Sequence, residues 1–347
     1  MMKKRQSAGL YHPPKLISVI SFCDAWMSDY MFEMARAFAR FIKLRYYLLK
    51  YGISMSETST HFLLKKGKNE ATLSKDPTFL ENYVRIIAAA SWLDASGKIK
   101  EKKIDDAWGC MVYPYNGWEI SLAYPLGDKE KAFFDVFFLQ NEFAGYLEEY
   151  QPKKGDVIID AGAYHGLFSV IVSKMVGDKG RIICLEPDQE NIAILEKNLE
   201  LNGCGNVALC KKALWKEKAD LEFNSSGDVS STLFSRSDGP GKEAVKPAKK
   251  IKVEATSIKE LMGEFDLQRI DFIKMDIEGA EIEALEGCSE LIASLDTRFS
   301  IAGYHVRDGQ PTFRRVEKIL RGSGYMVRTG YPDLTTYAWK KPSVKFE

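Results

Sequence analysis

Residues 155–166 read Gly-Asp-Val-Ile-Ile-Asp-Ala-Gly-Ala-Tyr-His-Gly, and a helix-like run, Leu167–Val176, follows at once. The short apolar run Val157–Ile159 ends in Asp160, two glycines follow at Gly162 and Gly166, and the helical pattern begins. A strand therefore stops, glycines permit a tight turn, and the free N–H groups of a helix start face outward. The spacing is not the full G-x-G-x-x-G of dinucleotide folds. A carboxylate just ahead of the first glycine suits a cationic, amine-bearing ligand better than a pyrophosphate. Taken alone, the stretch reads equally well as a plain strand-to-helix turn.

Working outward, the rhythm repeats. The turn 177–180 leads to the apolar run Arg181–Leu185, then Glu186-Pro187, a helix over Asn191–Leu201 stopped by Asn202-Gly203, and a strand over Val207–Leu214. Strand, helix, strand, helix, strand at this spacing predicts parallel βαβ units with right-handed crossovers. Residues 219–257 interrupt it with strand-like pieces and a lysine-rich polar loop, Asp238–Lys250. Helix then resumes at Ile258–Phe265, strand at Ile270–Met275, helix at Ala280–Leu295, strand at Phe299–Tyr304 and helix at Pro311–Gly322. A closing hairpin, Tyr325–Thr329 with Thr335–Lys340, makes one late strand antiparallel. The fold class is α/β, a doubly wound, mainly parallel sheet.

Two further constellations fall at strand ends, where open α/β sheets bind ligands. Glu186 ends the second strand, and a carboxylate there can accept from both hydroxyls of a ribose; its blander use is as an acid ahead of the next helix, which Asp188 can supply instead. Lys274-Met275-Asp276-Ile277-Glu278-Gly279-Ala280-Glu281 follows an apolar strand and opens a helix. Lys274 and Asp276 share one strand face by period two, and Glu278 and Glu281 can cap the first helical turn. Three acids and a lysine around a central strand end are costly unless they meet a polar ligand.

Together the runs G-D-V-I-I-D-A-G-A-Y-H-G, L-E-P and K-M-D-I-E-G-A-E, with the lead-in F-F-L-Q-N-E-F, resemble the FkbM-type methyltransferases over about residues 130 to 340. The resemblance implies a Rossmann-like class I fold and S-adenosylmethionine (SAM) as cofactor. It implies methyl transfer to a hydroxyl of a sugar, lipid or small natural product. It places Asp160, Gly162, Ala163 and Gly166 at the methionine end of the cofactor, Glu186 at its ribose, and Ala213, at the end of the third strand, near the adenine. Asp276 is placed near the transferable methyl and the acceptor. Many relatives carry a Glu after the fifth strand, where this chain has Tyr304-His305. An alcohol acceptor must lose its proton, and Asp276 or His305 is expected to take it. Two alternatives stay open: a nicotinamide-dependent oxidoreductase on a Rossmann fold, and a non-catalytic SAM-binding module.

Residues 1–105 are expected to form a mostly helical region ahead of a methyltransferase domain at 106–347. The pieces are a basic, aromatic helix ending near Tyr51, a helix over Leu80–Trp92, and a hairpin, Cys110–Tyr115 with Trp118–Tyr124, turning at Asn116-Gly117. The basic helix over residues 26–51 is read as packed on the protein rather than lying on an anionic membrane. It or the hairpin is expected to pack near the strand ends and shape the acceptor site. A chain starting at Asp106 is then expected to keep SAM binding and lose acceptor turnover.

Lys and Arg total 49 against 48 Asp and Glu, which speaks against a nucleic-acid partner. None of the six cysteines forms a C-x-x-C pair and the four histidines have no metal-ligand spacing, so free thiols and no metal are expected. The start of the chain imitates a signal peptide poorly and no stretch approaches a membrane span, so a cytoplasmic location is expected.

Overall fold

The computed structural model describes residues 44–46, 48–75, 79–225, 249–330 and 334–341. Most of the expected helix at 26–51 and most of the loop at 238–250 lie outside them.

Seven strands form the central sheet: β7 (Val157–Ala161), β8 (Arg181–Leu185), β9 (Val207–Cys210), β13 (Phe272–Met275), β14 (Arg298–Ala302), β17 (Met326–Gly330) and β18 (Thr335–Trp339). Their order is β17-β18-β14-β13-β7-β8-β9. Neighbours from β14 to β9 are parallel, and β18 runs antiparallel to both β14 and β17. The single reversed strand is the one the closing hairpin predicted. Ile158 and Ile159, adjacent in β7, are both fully buried, as a central strand covered on both faces requires. The chain leaves β7 for β8 and β9, then returns to β13 on the other side of β7. That reversal opens a crevice at the carboxyl ends of β7 and β13.

One face carries α4 (Leu167–Val176) and α5 (Gln189–Leu201) over Ile158, Ile182 and Phe272. The other carries α6 (Ile258–Glu264), α7 (Glu281–Glu286) and α9 (Phe313–Gly322) over Ile159, Ile183 and Ile273. Local caps set the helix starts. Asp188 accepts from Glu190 N at 2.9 Å before α5, and Ser257 with Glu260 forms a reciprocal capping box before α6. The expected helix over Ala280–Leu295 breaks into α7 and α8 (Ser289–Ser294). A Cβ at Gly287, between them, would lie 2.2 Å from the Lys216 carbonyl oxygen, so two chain segments cross there.

Ahead of the sheet, an antiparallel meander β1 (Ser54–Glu57), β2 (His61–Lys66) and β3 (Asn69–Ser74) lies against α1 (Phe79–Ala95). The expectation of a mostly helical N-terminal region is corrected by this meander among the described residues. It hides from a pattern search because β1 is exposed throughout and β2 buries only Leu64 fully. Leu44 and Leu48, in the described helical end of the basic segment, are buried in the same core as α1.

The boundary at 105/106 also needs correcting. β4 (Lys100–Lys103) pairs with β5 (Trp108–Tyr115), which pairs with β6 (Trp118–Pro125), so the boundary cuts a sheet. Asn116 and Gly117 take positive φ, as the hairpin turn predicted. α2 (Glu130–Asn141) packs on α1, with Trp92 stacked on Phe133 at 4.7 Å and Arg85 bidentate to Glu130 at 2.9 and 3.0 Å. A chain starting at Asp106 therefore loses β4 and the part of a continuous core that runs from Leu44 to Ala95.

Candidate active site

The glycine loop is shaped by contacts within the protein. Gly162 has φ of +74°, and a Cβ there would sit 1.8 Å from the backbone carbonyl oxygen of Asp276. Only glycine lets the loop after β7 close on the exit of β13. The N–H groups of Gly162 and Ala163 both donate to the Leu185 carbonyl, at 3.1 and 2.9 Å, locking the loop to β8 as well. A Cβ at Gly166 would meet Leu195 Cγ at 2.9 Å. The sequence reading assigned these glycines to close approach of a ligand; here they bring chain segments together.

Asp160, expected at the cofactor's methionine end, makes its contacts within the protein. It is fully buried, accepts from Ser169 Oγ at 2.7 Å and lies 3.2 Å from Lys274 Nζ. The cause is register: Asp160 and Lys274 are direct partners on parallel strands and face the same layer. Lys274 Nζ also donates to the Gly162 carbonyl at 2.6 Å and lies 5.4 Å from the Tyr146 ring centre. Asp160 thus acts beneath the loop, holding the lysine that holds the loop.

Glu186 follows β8 and is buried. Its carboxylate accepts from Tyr164 N at 2.8 Å and Asp188 N at 2.9 Å. Burial pushes its pKa up to about 7, against the pull of those two amides. Next to it, Asn191 Oδ1 is buried without a hydrogen-bond partner. The expected third strand splits at Lys211-Lys212, which takes Ala213 off the end of the sheet strand. The sheet strand β9 ends at Cys210, and Ala213 opens β10 (Ala213–Leu214), which pairs with β12 (Lys249–Thr256) in a separate sheet with β11 (Ala219–Ser225).

Asp276 leaves β13 with its backbone N–H bonded to the Ala161 carbonyl at 3.0 Å. Its side chain stays about a quarter exposed, at 24%. Tyr146 OH donates to Oδ2 at 2.8 Å, and Tyr304 OH reaches both oxygens at 3.2 and 3.3 Å. Burial and the Asp276 charge hold the Tyr146 phenol well above the usual tyrosine range, so it stays a donor. His305 sits behind, with Nε2 3.4 Å from Asp276 Oδ1 and 3.6 Å from Glu278 Oε1, and Nδ1 2.9 Å from Glu281 Oε1. Burial alone would lower its pKa, but Glu281 and Glu278 outweigh burial and raise it well above the ordinary value. Asp276, at 24% side-chain exposure against 7% for His305, is the more open of the two to the crevice.

The strand ends thus gather Gly162, Ala163, Glu186, Asp276 and His305, with Asp160 below them and Ala213 in another sheet. Sequence reasoning missed Tyr146, which lies in the short helix α3 (Phe143–Tyr146) and reaches Asp276 across 130 positions of chain. It also missed the buried pair of Asp135 Oδ1 and His165 Nδ1, 2.8 Å apart, which ties α2 to the glycine loop. His165 stood inside the quoted loop, but Asp135 lies two residues ahead of the F-F-L-Q-N-E-F lead-in and nothing local joined the two.

The crevice fits the cofactor that the strand-end motifs implied. Glu186 keeps acceptor capacity beyond its two amides, and the orphaned Asn191 oxygen beside it calls for a donor.

Residues 160–327 match the family model described as "Methyltransferase FkbM domain". The chain is 23% identical over 226 residues to Methyltransferase 1 of Beauveria bassiana, covering 61% of this chain and 87% of that protein. It is 30% identical over 157 residues to Methyltransferase sdnD of Sordaria araneosa, covering 38% of this chain and 60% of that protein. Among solved structures, the methyltransferase FkbM of Methylobacillus flagellatus KT aligns at 18% identity with a TM-score of 0.39, over 62% of this chain and 56% of that one.

Proposed function

We propose that this chain, whose residues 160–327 belong to the FkbM methyltransferase family and which is a SAM-dependent methyltransferase, methylates a hydroxyl of a sugar, lipid or small natural product. The observation that carries the hydroxyl reading is Asp276, a partly exposed carboxylate at the end of the central strand with two phenols on it. SAM supplies a methyl group on a sulfonium, which the acceptor oxygen takes in line as the C–S bond breaks toward sulfur.

The protein's part is to position, exclude water and receive a proton. Glu186 and Asn191 would hold the ribose, and the loop of Gly162 and Ala163 would hold the methionine end. Asp276 would take the acceptor's proton, oriented by Tyr146 and Tyr304. Fixing the carboxylate by two donors spares it reorientation during the reaction. No feature of the site favours the nicotinamide reading, since the pyrophosphate spacing of glycines is absent.

A panel of hydroxylated metabolites, sugars and lipids incubated with methyl-labelled SAM tests the proposal. Once an acceptor is found, Asp276→Asn should lower turnover by about 100-fold or more while SAM affinity by calorimetry stays near wild type. Label transfer only to amines or carbon acids would sink the hydroxyl reading.

A further inference from the structure

Asp276, Glu281 and His305 each offer a donor atom within 4.8 Å of the other two. They come from three places: the end of β13, the first turn of α7, and the segment after β14. Linear spacing could not reveal them, which is why the sequence suggested no metal.

The details point outward to a ligand. Glu281 is fully buried, and its Oε1 accepts from the N–H groups of Ile277 and Gly279 at 3.1 and 3.3 Å. Its other oxygen, Oε2, is buried with no hydrogen-bond partner. His305 is also more than nine-tenths buried, and its two ring nitrogens, though near carboxylates, make no directed hydrogen bond. Buried polar atoms without partners are rare and call for an ion or a water. The surroundings are those of an oriented metal ligand set. Tyr146 OH fixes the Asp276 carboxylate and two backbone amides fix that of Glu281, as outer partners of ligands do.

We propose that Asp276, Glu281 and His305 bind one divalent cation of the Mn²⁺ type, and that the ion bonds the acceptor hydroxyl. Two carboxylates and one imidazole, with no thiolate, suit a hard or borderline ion. Bonds of about 2.1 Å need donor pairs no more than about 4.2 Å apart, so small side-chain shifts close the site. The second half of the proposal rests on the hydroxyl-methylation reading above. As the ion bonds it, the acceptor O–H bond breaks, its electron pair stays on oxygen and the proton passes to the Asp276 carboxylate oxygen that the ion leaves free. That oxygen pair then forms the bond to the methyl carbon.

The test uses the full chain, stripped with a chelator and titrated with Mn²⁺ alone by electron paramagnetic resonance, with SAM calorimetry as the control of folding. One Mn²⁺ per chain is expected. Glu281→Gln and His305→Gln should each weaken it by about tenfold or more with SAM binding retained. If a variant does not fold, pulsed resonance on the wild type decides, because an imidazole nitrogen must couple to the bound Mn²⁺. A wild type that binds SAM but no Mn²⁺ overturns the metal site and leaves the methyltransferase reading intact. So does Mn²⁺ bound equally by both variants, or without nitrogen coupling. Mn²⁺ bound with these signatures, but with no methyl transfer to any hydroxyl, supports the site and removes its assigned role.

Discussion

Lys274 Nζ lies 3.2 Å from Asp160 Oδ1, on adjacent parallel strands, with both side chains buried. The same ammonium donates to the Gly162 carbonyl at 2.6 Å. A buried ion pair is weak evidence of net stability, but removing one partner strands the other charge. Lys274→Met should therefore cost about 3 kcal/mol or more, read as a lower denaturant midpoint. Adding Asp160→Asn should recover part of that loss, since no uncompensated charge then remains. If the double variant is less stable than the single, the pair is not the dominant interaction there.

Gly162 and Gly166 both have positive φ, yet they should not respond alike. A methyl at Gly162 meets the fixed backbone of Asp276 at 1.8 Å; one at Gly166 meets the mobile side chain of Leu195 at 2.9 Å. Gly162→Ala should spread β7 from β13 and abolish SAM binding in calorimetry. Gly166→Ala should lower the melting temperature but leave measurable SAM affinity. Equal losses in both would mean that backbone strain, which they share, decides the outcome.

Glu186 gives a pH dependence with a definite sign. Its pKa rises from 4.5 to about 7 on folding. The folded chain therefore holds this proton more tightly than the unfolded chain. The group's cost to stability is absent below pH 4.5, grows as pH rises, and is complete above pH 7, at about 3 kcal/mol. If the ionised carboxylate is the form that accepts the ribose hydroxyls, SAM affinity should rise about tenfold between pH 6 and pH 8. Glu186→Gln should flatten both profiles. An affinity profile in the variant that still rises would assign the dependence to another group.

What the sequence made legible was whatever lay close along the chain. The βαβ rhythm and the reversed last strand are runs of neighbouring residues, and each appears where the pattern put it. Three things escaped. Asp160 pointed the right way by period but found Lys274 before any ligand, because register across strands is not written in either strand alone. Ala213 was lost to a two-residue turn inside an apolar run. The set around His305 needs three elements far apart in sequence, and Tyr146 is farther still. The helix cap at Asp188 was readable because a cap is made within four residues.

Asn198 joins the N-terminal hairpin to the glycine loop through one side chain. Its Oδ1 accepts from Ala123 N in β6 at 2.7 Å, and its Nδ2 donates to the His165 carbonyl at 2.8 Å. Asn202, one helical turn on, binds the hairpin through Ser121 N at 3.0 Å and Ser121 O at 2.8 Å, and its Nδ2 also donates to the Asn198 carbonyl at 2.7 Å; it makes no side-chain bond to the glycine loop among the described residues. The basic helix or the hairpin was expected to pack near the strand ends; the hairpin lies against α5, and one of its routes to the site runs through Asn198. Either asparagine replaced by alanine strands a backbone donor and an acceptor, at a cost of about 2 kcal/mol or more. The two should differ in function. Asn198→Ala should also weaken SAM binding, because the loop loses a fixed carbonyl beside Gly166, whereas Asn202→Ala should leave SAM affinity unchanged at the same loss of melting temperature. If both variants keep wild-type affinity, the hairpin supports the fold without steering the cofactor loop.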